Sequence, residues 1–401
     1  MSNTMLSEAT ELTEQLQADR RWLHGHPETG FALTQTKEYV NKRLTEMGFS
    51  PEECGKCGLV VTIRGSKPGK TFLLRADMDA LPIREESDVP FASSNGNMHA
   101  CGHDMHTAML LGAAALLRRH REELCGTVKL MFQSAEEIFQ GAQDMITNGI
   151  LEGVDAAMMI HVIAGMPIEA GTVIVSAPGV SAPAADYFTI QVQGRGCHGS
   201  APQNGVDALT AAAHILVALQ ELHARELAAS DEAVLTIGTM QAGTAANAIA
   251  DSAEMRGTIR TYDEKTRSHL KTRLPEISRG IAAAFRAEAS VAFGSGCPTL
   301  TNSKELSEAI YRYVSQLLGE DRTISAAEMT TSGKPARGGG SEDFAYVSQK
   351  VPSLMLALAA GEPDNGYSFP QHHPKVKFDE SVLPVGAAVF AASALRFLRD
   401  K

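Results

Sequence analysis

Histidine, cysteine and aspartate are concentrated in one eight-residue stretch, HACGHDMH at residues 99–106. It holds three histidines, a cysteine and an aspartate, in a chain with only 13 histidines and 6 cysteines among 401 residues. Imidazole and thiolate are ligands that zinc and related metals prefer. A thiol beside an imidazole can also act as a nucleophile. The stretch alone therefore leaves three interpretations open, namely a metal site, a thiol catalyst and a polar loop.

Further side chains that could bind metal follow three short apolar runs. The runs, 71–75, 127–132 and 156–160, predict buried strands. Asp77 and Asp79 follow the first run, Glu136 and Glu137 follow the second, and His161 follows the third. A late segment, QHHP, adds His372 and His373. Taken singly, each is explained as a turn, N-cap or hydrogen-bonded structural residue. Open α/β sheets bind ligands beyond the carboxyl ends of their strands. The coincidence of so many metal-binding side chains at this one edge of the sheet therefore predicts a metal site.

The adjacent glutamates Glu136 and Glu137 could not both face a site from a regular strand, because successive side chains point to opposite faces. At a strand end that turns toward a helix they could. One carboxylate would then bind metal while its neighbour stays free to move a proton. This division of labour is what metal-assisted hydrolysis requires.

Length and composition narrow the class of protein. A chain of 401 residues with 44% hydrophobic and 21% charged residues predicts a globular protein of two domains. The net charge of −11 argues against nucleic acid or an anionic membrane as partner. The sequence shows no signal peptide and no membrane-spanning run. Six cysteines in so long a chain do not indicate a disulfide framework, and we expect a cytoplasmic protein.

The periodicity predicts an α/β fold with an insertion. The first 180 residues alternate helical segments with apolar runs, including one or two helices over about 8–47 that break near His26-Pro27. From 186 the order becomes β-α-β-β-α-β, the ferredoxin-like pattern, with a long helix over 207–228. We therefore predict a catalytic domain at 1–185 and 296–401, with a mixed sheet flanked by helices. An α+β domain at 186–295 is inserted in it.

Five segments resemble the amidohydrolases of the M20 peptidase family: MHACGHDMHTAML, FQSAEE, GCHGSAP, GSEDFAY and HHP with its following FDE. The resemblance extends from RRWLHGHPETGF to the C-terminus. It is strongest to the branch of hippurate hydrolases, N-acyl-amino-acid deacylases and auxin-conjugate hydrolases. The resemblance implies a two-metal site, and it implies that the inserted domain serves as a lid and dimerisation domain.

The resemblance also implies roles for individual residues. The metal ligands would be Cys101 as bridging thiolate, His103, Glu137, His161 and His372. Glu136 would be the general base and Asp77 would orient a ligand. His198 and Asn247 would polarise the scissile carbonyl or hold substrate. Arg260 is a candidate partner for a substrate carboxylate, although the sequence alone favours an exposed strand arginine.

The resulting prediction is an amidohydrolase with two divalent metal ions, zinc, nickel or manganese, that cleaves N-acyl or N-aroyl amino acids and forms a homodimer through the inserted domain. Another amide, an aminoaromatic compound or a dipeptide is the alternative substrate. A second hypothesis makes Cys101 the nucleophile and His103 its base, but leaves the glutamates and the other histidines without a role. A third hypothesis, a metal-dependent binding protein without activity, does not account for Glu136.

Overall fold

The computed structural model describes residues 2–331, 334–335, 337 and 339–400. In this part of the chain the helices are α1 (Ser2–Thr10), α2 (Thr13–Gly25), α3 (Thr34–Glu46), α4 (His103–Arg119), α5 (Gly141–Thr147), α6 (Ala208–Ala218), α7 (Glu264–Ala284), α8 (Lys304–Leu318), α9 (Ala345–Ser348) and α10 (Leu383–Arg399). The strands are β1 (Glu52–Cys54), β2 (Gly58–Arg64), β3 (Lys67–Asp77), β4 (Cys125–Gln133), β5 (Ala156–Ile163), β6 (Val173–Val175), β7 (Gly179–Ala182), β8 (Ala184–Gln193), β9 (Cys197–His198), β10 (Ala233–Ala242), β11 (Ala248–Ile249), β12 (Ser252–Thr261), β13 (Glu288–Cys297), β14 (Leu300–Asn302), β15 (Thr323–Ser325), β16 (Thr330–Thr331), β17 (Lys334–Pro335) and β18 (Ser353–Ala359).

The chain divides into two compact units, the larger made of Met1–Ser181, Leu300–Arg337 and Glu342–Lys401. Its main sheet has the order β1-β2-β4-β3-β5-β18-β6-β15. The four central strands, β4, β3, β5 and β18, run parallel to one another, whereas β2 and β6 pair antiparallel with their inner neighbours. A mixed sheet flanked by helices is therefore observed, which confirms the predicted fold class.

Two apolar helices, α4 and α10, form much of the larger unit's core. Fourteen of the 17 residues of α4 are buried, and α4 packs against both α2 and α10. By length and composition the segment Glu380–Arg399 could span a membrane, but 78% of its most apolar window is buried inside the protein. A helix that is apolar all round and buried in this way is typical of a protein core.

The smaller unit covers Ala182–Thr299 and includes Ser341 from a later segment. Its four-stranded sheet has the order β10-β12-β8-β13, and its strand pairs are antiparallel. Helices α6 and α7 enclose a separate apolar core with that sheet. This strand order is that of the ferredoxin-like motif, and the segment predicted as an insertion, 186–295, lies within the unit.

The parallel strands of the larger unit end at one edge of the sheet, because β3 and β4 pair in register from Thr71↔Thr127 to Asp77↔Gln133. Two local predictions were wrong. Strand β5 continues to Ile163, since β18 pairs with it that far, so His161 lies within the strand rather than after it. The helix predicted over 207–228 ends at Ala218, and Leu222–Glu226 forms a separate π-helix. Within 8–47 the predicted break near His26 is confirmed, with α2 before it and α3 after it.

Candidate metal centre

The loop before α4 places Cys101 beside His161 of β5. The Cys101 Sγ atom lies 3.5 Å from His161 Nε2. His161 donates from Nδ1 to the backbone oxygen of Val162 at 2.7 Å, so its Nε2 keeps a lone pair. Gly102 then turns the chain into α4 with a φ of +94°, and an added Cβ there would overlap Val162 Cγ2. Only glycine therefore fits between Cys101 and His103 without strain.

His103, the first residue of α4, presents a free nitrogen toward the glutamate pair. Its Nδ1 donates to the backbone oxygen of Asp79 at 2.8 Å, so Nε2 is the ring nitrogen that could bind a metal. That Nε2 lies 3.9 Å from Glu137 Oε1 and 4.0 Å from Glu136 Oε2. It is buried and has no hydrogen-bond partner, as expected for a nitrogen that receives a metal ion.

The turn after β4 allows the two adjacent glutamates to face the same site. Ala135 and Phe139 adopt positive φ values of 57° and 54°, which no regular strand or helix contains. The Asp79 carboxylate fixes this turn by accepting the backbone N–H groups of Glu136 at 3.0 Å and Glu137 at 3.2 Å. The predicted turn is therefore observed, held by a carboxylate that binds two consecutive amides.

The late segment contributes His372 rather than its neighbour. His372 also has a positive φ, 66°, and its backbone N–H donates to Ala100 at 2.9 Å. Its Nε2 lies 3.7 Å from Glu137 Oε1. The ring of His373 instead stacks on Phe369, with 4.3 Å between ring centroids.

These side chains form two groups that share the thiol. Potential ligand atoms of Cys101, His103 and His161 lie within 4.8 Å of one another, and so do those of Cys101, Glu137 and His372. The Oε1 atom of Glu137, like Nε2 of His103, is buried without a hydrogen-bond partner. Nitrogen, sulfur and oxygen donors in this combination suit zinc, nickel or manganese, so the residues present fit a pair of divalent ions.

The pKa shifts of Cys101, Glu136, Glu137 and His161 also favour bound cations. Burial, together with Glu137, raises the pKa of the Cys101 thiol well above its usual value. Burial raises the pKa of Glu137 to about 7, and burial with Glu342 raises that of Glu136 well above its ordinary value. Burial and nearby histidines lower the pKa of His161 to about 3. Buried thiol and carboxyl groups are stable as anions only beside a cation.

The other two histidines of the stretch 99–106 belong to neither of the two groups that contain Cys101. His106 uses both ring nitrogens, donating from Nδ1 to Asp77 Oδ1 at 2.6 Å and accepting the Val162 N–H at Nε2 over 2.9 Å. His99 is buried with both nitrogens unpartnered, and burial lowers its pKa to about 3. The Asp77 carboxylate accepts from His106 at Oδ1 and from Arg75 at Oδ2, and this Oδ2 lies 3.5 Å from His103 Nε2.

Asp104, next to His103, anchors the start of α4 to the N-terminal region. Its Oδ2 accepts from Arg20 Nε and His24 Nδ1, both at 2.8 Å. His24 Nε2 in turn lies 2.9 Å from Glu85. The segment RRWLHGHPETGF therefore contributes Arg20 and His24, which hold the start of α4 in place through Asp104.

The remaining predicted residues belong to the smaller unit. His198 pairs in strand with Ala248, and the backbone oxygen of Asn247 accepts the Gly199 N–H at 2.8 Å. Both His198 and Asn247 line one cavity of about 920 Å³ on this unit. Arg260 lies half-buried on β12 and donates to Ser341 Oγ at 2.9 Å.

Sequence reasoning missed a buried polar group behind Glu136. Arg75 is wholly buried and contacts Gln133, Asp77, Glu342 and Asp343. Carboxylate oxygens of Glu136, Glu342 and Asp343 lie within 4.8 Å of one another. The available signal was the arginine itself, a charge placed inside the apolar run FLLRAD, since a charge is buried only when it is paired.

Comparison with known proteins gives consistent results. The model of peptidase family M20/M25/M40 matches residues 73–396. The chain is 35% identical over 379 residues to an N-acetylcysteine deacetylase of Bacillus subtilis, covering 94% of this chain and 95% of the relative. It is 37% identical to thermostable carboxypeptidase 2 of Saccharolobus solfataricus, covering 94% of each. A Bacillus subtilis structure described as a dinuclear metal binding peptidase from the M20 family matches with TM-score 0.79 at 33% identity, over 97% of this chain and 99% of that one.

Proposed function

The chain belongs to peptidase family M20/M25/M40 and is an amidohydrolase, and from this premise we propose that it hydrolyses N-acyl or N-aroyl amino acids. The products would be a carboxylic acid and a free amino acid. The observation that carries the proposal is the pair of ligand groups sharing Cys101, with the carboxyl group of Glu136 beside His103 and Glu137.

We propose that Cys101 is shared by two divalent ions. His103 and His161 would complete one site, and Glu137 and His372 the other. Bound there, the ions would polarise the scissile carbonyl and make water acidic enough to attack at neutral pH.

Glu136 is the residue that moves the proton in this proposal. It is almost wholly buried, its Oε1 accepts the backbone N–H of Asp343 over 3.3 Å, and its Oε2 faces His103. The carboxylate would take a proton from a water molecule while the oxygen of that water attacks the amide carbon. It would then deliver that proton to the nitrogen as the C–N bond breaks.

The decisive test is Glu136→Gln, which keeps the shape of the side chain but cannot accept the proton. We expect kcat to fall at least about 1,000-fold, with metal content by elemental analysis unchanged. Substantial residual amidase activity would show that another group is the base.

The thiol-nucleophile hypothesis is disfavoured by the surroundings of Cys101. Burial, together with Glu137, raises the pKa of its thiol although His103 opposes this, whereas nucleophilic thiols have a lowered pKa. Elemental analysis of Cys101→Ser separates the two ideas, because only the metal-ligand role predicts a loss of bound metal.

Exposed apolar side chains close in sequence to the candidate metal ligands support an apolar acyl group. Among the described residues of the larger unit, the exposed large apolar side chains are Ile138, Met166 and Phe369. Ile138 follows Glu137 directly, Met166 lies in the loop after β5, and Phe369 precedes His372 by three residues. The latter two loops touch, since an added Cβ on Gly165 would lie 3.2 Å from the Phe369 backbone. Apolar side chains exposed at a ligand site favour an apolar ligand.

A second candidate function is peptide hydrolysis, because one relative with 37% identity is a carboxypeptidase. A substrate panel decides between them. N-acetyl, N-hexanoyl and N-benzoyl amino acids are compared with dipeptides of the same residues, each with added manganese, zinc or nickel. The proposal expects higher kcat/KM for the N-acyl compounds, and a preference for dipeptides would replace it with the second function.

We assign the smaller unit the role of lid and dimerisation domain, with His198 and Asn247 as substrate groups and Arg260 as a candidate carboxylate partner. Its exposed apolar side chains, including Val217 and Val234, support a homodimer. Light scattering at micromolar concentration tests this, and a monomer would contradict it. All six cysteines are free thiols, which supports a cytoplasmic location.

A further inference from the structure

The buried arginine Arg75 forms more contacts than its place on β3 requires. Its Nε donates to Gln133 Oε1 at 2.9 Å and its Nη1 to Asp77 Oδ2 at 2.6 Å. Its Nη2 donates to Glu342 Oε1 at 2.9 Å and to Asp343 Oδ1 at 2.8 Å. The planar guanidinium thereby joins strands β3 and β4 to a segment about 270 residues later in the sequence, a geometry that a lysine cannot reproduce.

Asp343 extends this network to Glu136. Its side chain accepts Gln133 Nε2 at 2.7 and 2.9 Å and the Ala142 N–H at 2.9 Å. With the side chain fixed in this way, the backbone N–H of Asp343 donates to Glu136 Oε1. In the part of the chain that the structure describes, the Glu136 carboxylate accepts this one hydrogen bond.

We propose that Arg75 and Asp343 are positioning residues that hold the Glu136 carboxylate in place for proton transfer. This inference rests on the proposed function and gives a role to the GSEDFAY segment, which the metal site does not use. The segment lies outside strands, so nothing in the sheet itself fixes it beside Glu136. Arg75 attaches the segment to the sheet through its hydrogen bonds to Glu342 and Asp343.

The network approaches the metal ligands through Asp77, whose Oδ2 accepts from Arg75 and lies 3.5 Å from His103 Nε2. Asp77 is the member nearest to them, and its other oxygen is held by His106. Loss of Arg75 therefore leaves the hydrogen bonds of His103 to Asp79 and of His161 to Val162 in place. A displaced Glu136 lowers kcat, whereas metal content and substrate affinity depend on other groups.

The test compares Arg75→Lys with a control, Arg267→Lys. Arg267 in the smaller unit also forms a two-pronged ion pair, with Asp186 at 2.6 and 2.9 Å, and has no place in the site. On an N-acyl amino acid that the wild type cleaves, we expect Arg75→Lys to lower kcat about 100-fold. KM should stay within about threefold and metal content should not change. The control should keep the wild-type kcat.

A double substitution separates positioning from a merely structural role. In Glu136→Asp the shorter side chain has already lost the Asp343 contact, so adding Arg75→Lys should lower kcat by no more than about fivefold further. If the full 100-fold loss recurs in that background, Arg75 does not act through Glu136 and the proposal fails. It also fails if Arg75→Lys keeps kcat, or if activity falls in step with lost metal.

A second variant covers the case in which Arg75→Lys does not fold. Asp343→Asn keeps the volume of the side chain but places an N–H donor against Gln133 or Ala142, and we expect the same fall in kcat with metal retained. Unchanged kcat in Asp343→Asn would overturn the proposal. A wild-type protein inactive on every N-acyl compound would instead refute the proposed function, so the two failures are distinguishable.

Discussion

Substitution of Gly102 by alanine should damage the metal site through packing alone. Gly102 stands between Cys101 and His103 with a φ of +94°. An alanine Cβ there would overlap Val162 Cγ2 and lie 3.1 Å from Phe378 Cζ. Both neighbours are buried, so the loop that carries the two predicted ligands must shift to make room.

Two costs add in this variant. The left-handed backbone conformation costs a residue with a Cβ about 1–2 kcal/mol, and overpacking of a buried site costs about 1–3 kcal/mol. Gly96→Ala is the matched control, because Gly96 has a φ of +89° but nothing within 4 Å of its added Cβ. The control carries the first cost only, so Gly102→Ala should lose about 1–3 kcal/mol more.

Urea unfolding of chelator-treated protein measures this difference, since bound metal would add its own stabilisation. The free energy of unfolding is compared for the wild type and both variants. Metal content of the untreated proteins is then measured, and Gly102→Ala should retain less metal than Gly96→Ala. Equal losses of stability in the two variants would refute the packing argument.

Three further results are expected. Burial alone would lower the pKa of His120, but its hydrogen bonds to Glu123 and Glu8 raise it above the ordinary value. His120→Gln should therefore lower the unfolding free energy at pH 5.5 and not at pH 9, and an equal effect at both would contradict this. Phe369→Ser should lower kcat/KM about tenfold for N-benzoyl but not N-acetyl substrates. Chelation should abolish hydrolysis until a divalent metal is restored.

The sequence predicted the fold and the edge of the sheet where the candidate ligands collect. Buried parallel strands read as continuous apolar runs, so the polar residues that follow each run, such as Asp77 and Glu136, could be assigned to one edge. Periodicity located the runs but not their ends, and β5 continues past His161 because β18 pairs with it to Ile163. Pairing of this kind depends on a strand almost 200 residues away.

The parts that could not be predicted depend on long-range contacts. Nothing local in GSEDFAY indicates that Glu342 and Asp343 meet Arg75, since no strand or helix of their own fixes their position. The turn at Ala135 was expected, but not the Asp79 carboxylate that binds its amides. Predicting these contacts would require asking, for each buried charge in the sequence, which distant residue pairs with it.

The charges at this sheet edge provide the strongest physical reason for a metal centre. Buried carboxyl groups of Asp77, Glu342 and Asp343 accept hydrogen bonds from a single arginine, Arg75, and Glu136 lies beside the latter two. Arg75 and the surrounding charges hold the pKa of Asp77 well below its usual range, although burial opposes this, whereas burial raises that of Asp343 to about 8. Arg75, with His103 and His106, therefore stabilises the Asp77 anion but not the whole set of carboxylates. Isolated buried charges are too costly to keep, so a site that uses the remaining carboxylate and thiolate groups requires additional positive charge, which divalent ions at Cys101 would supply.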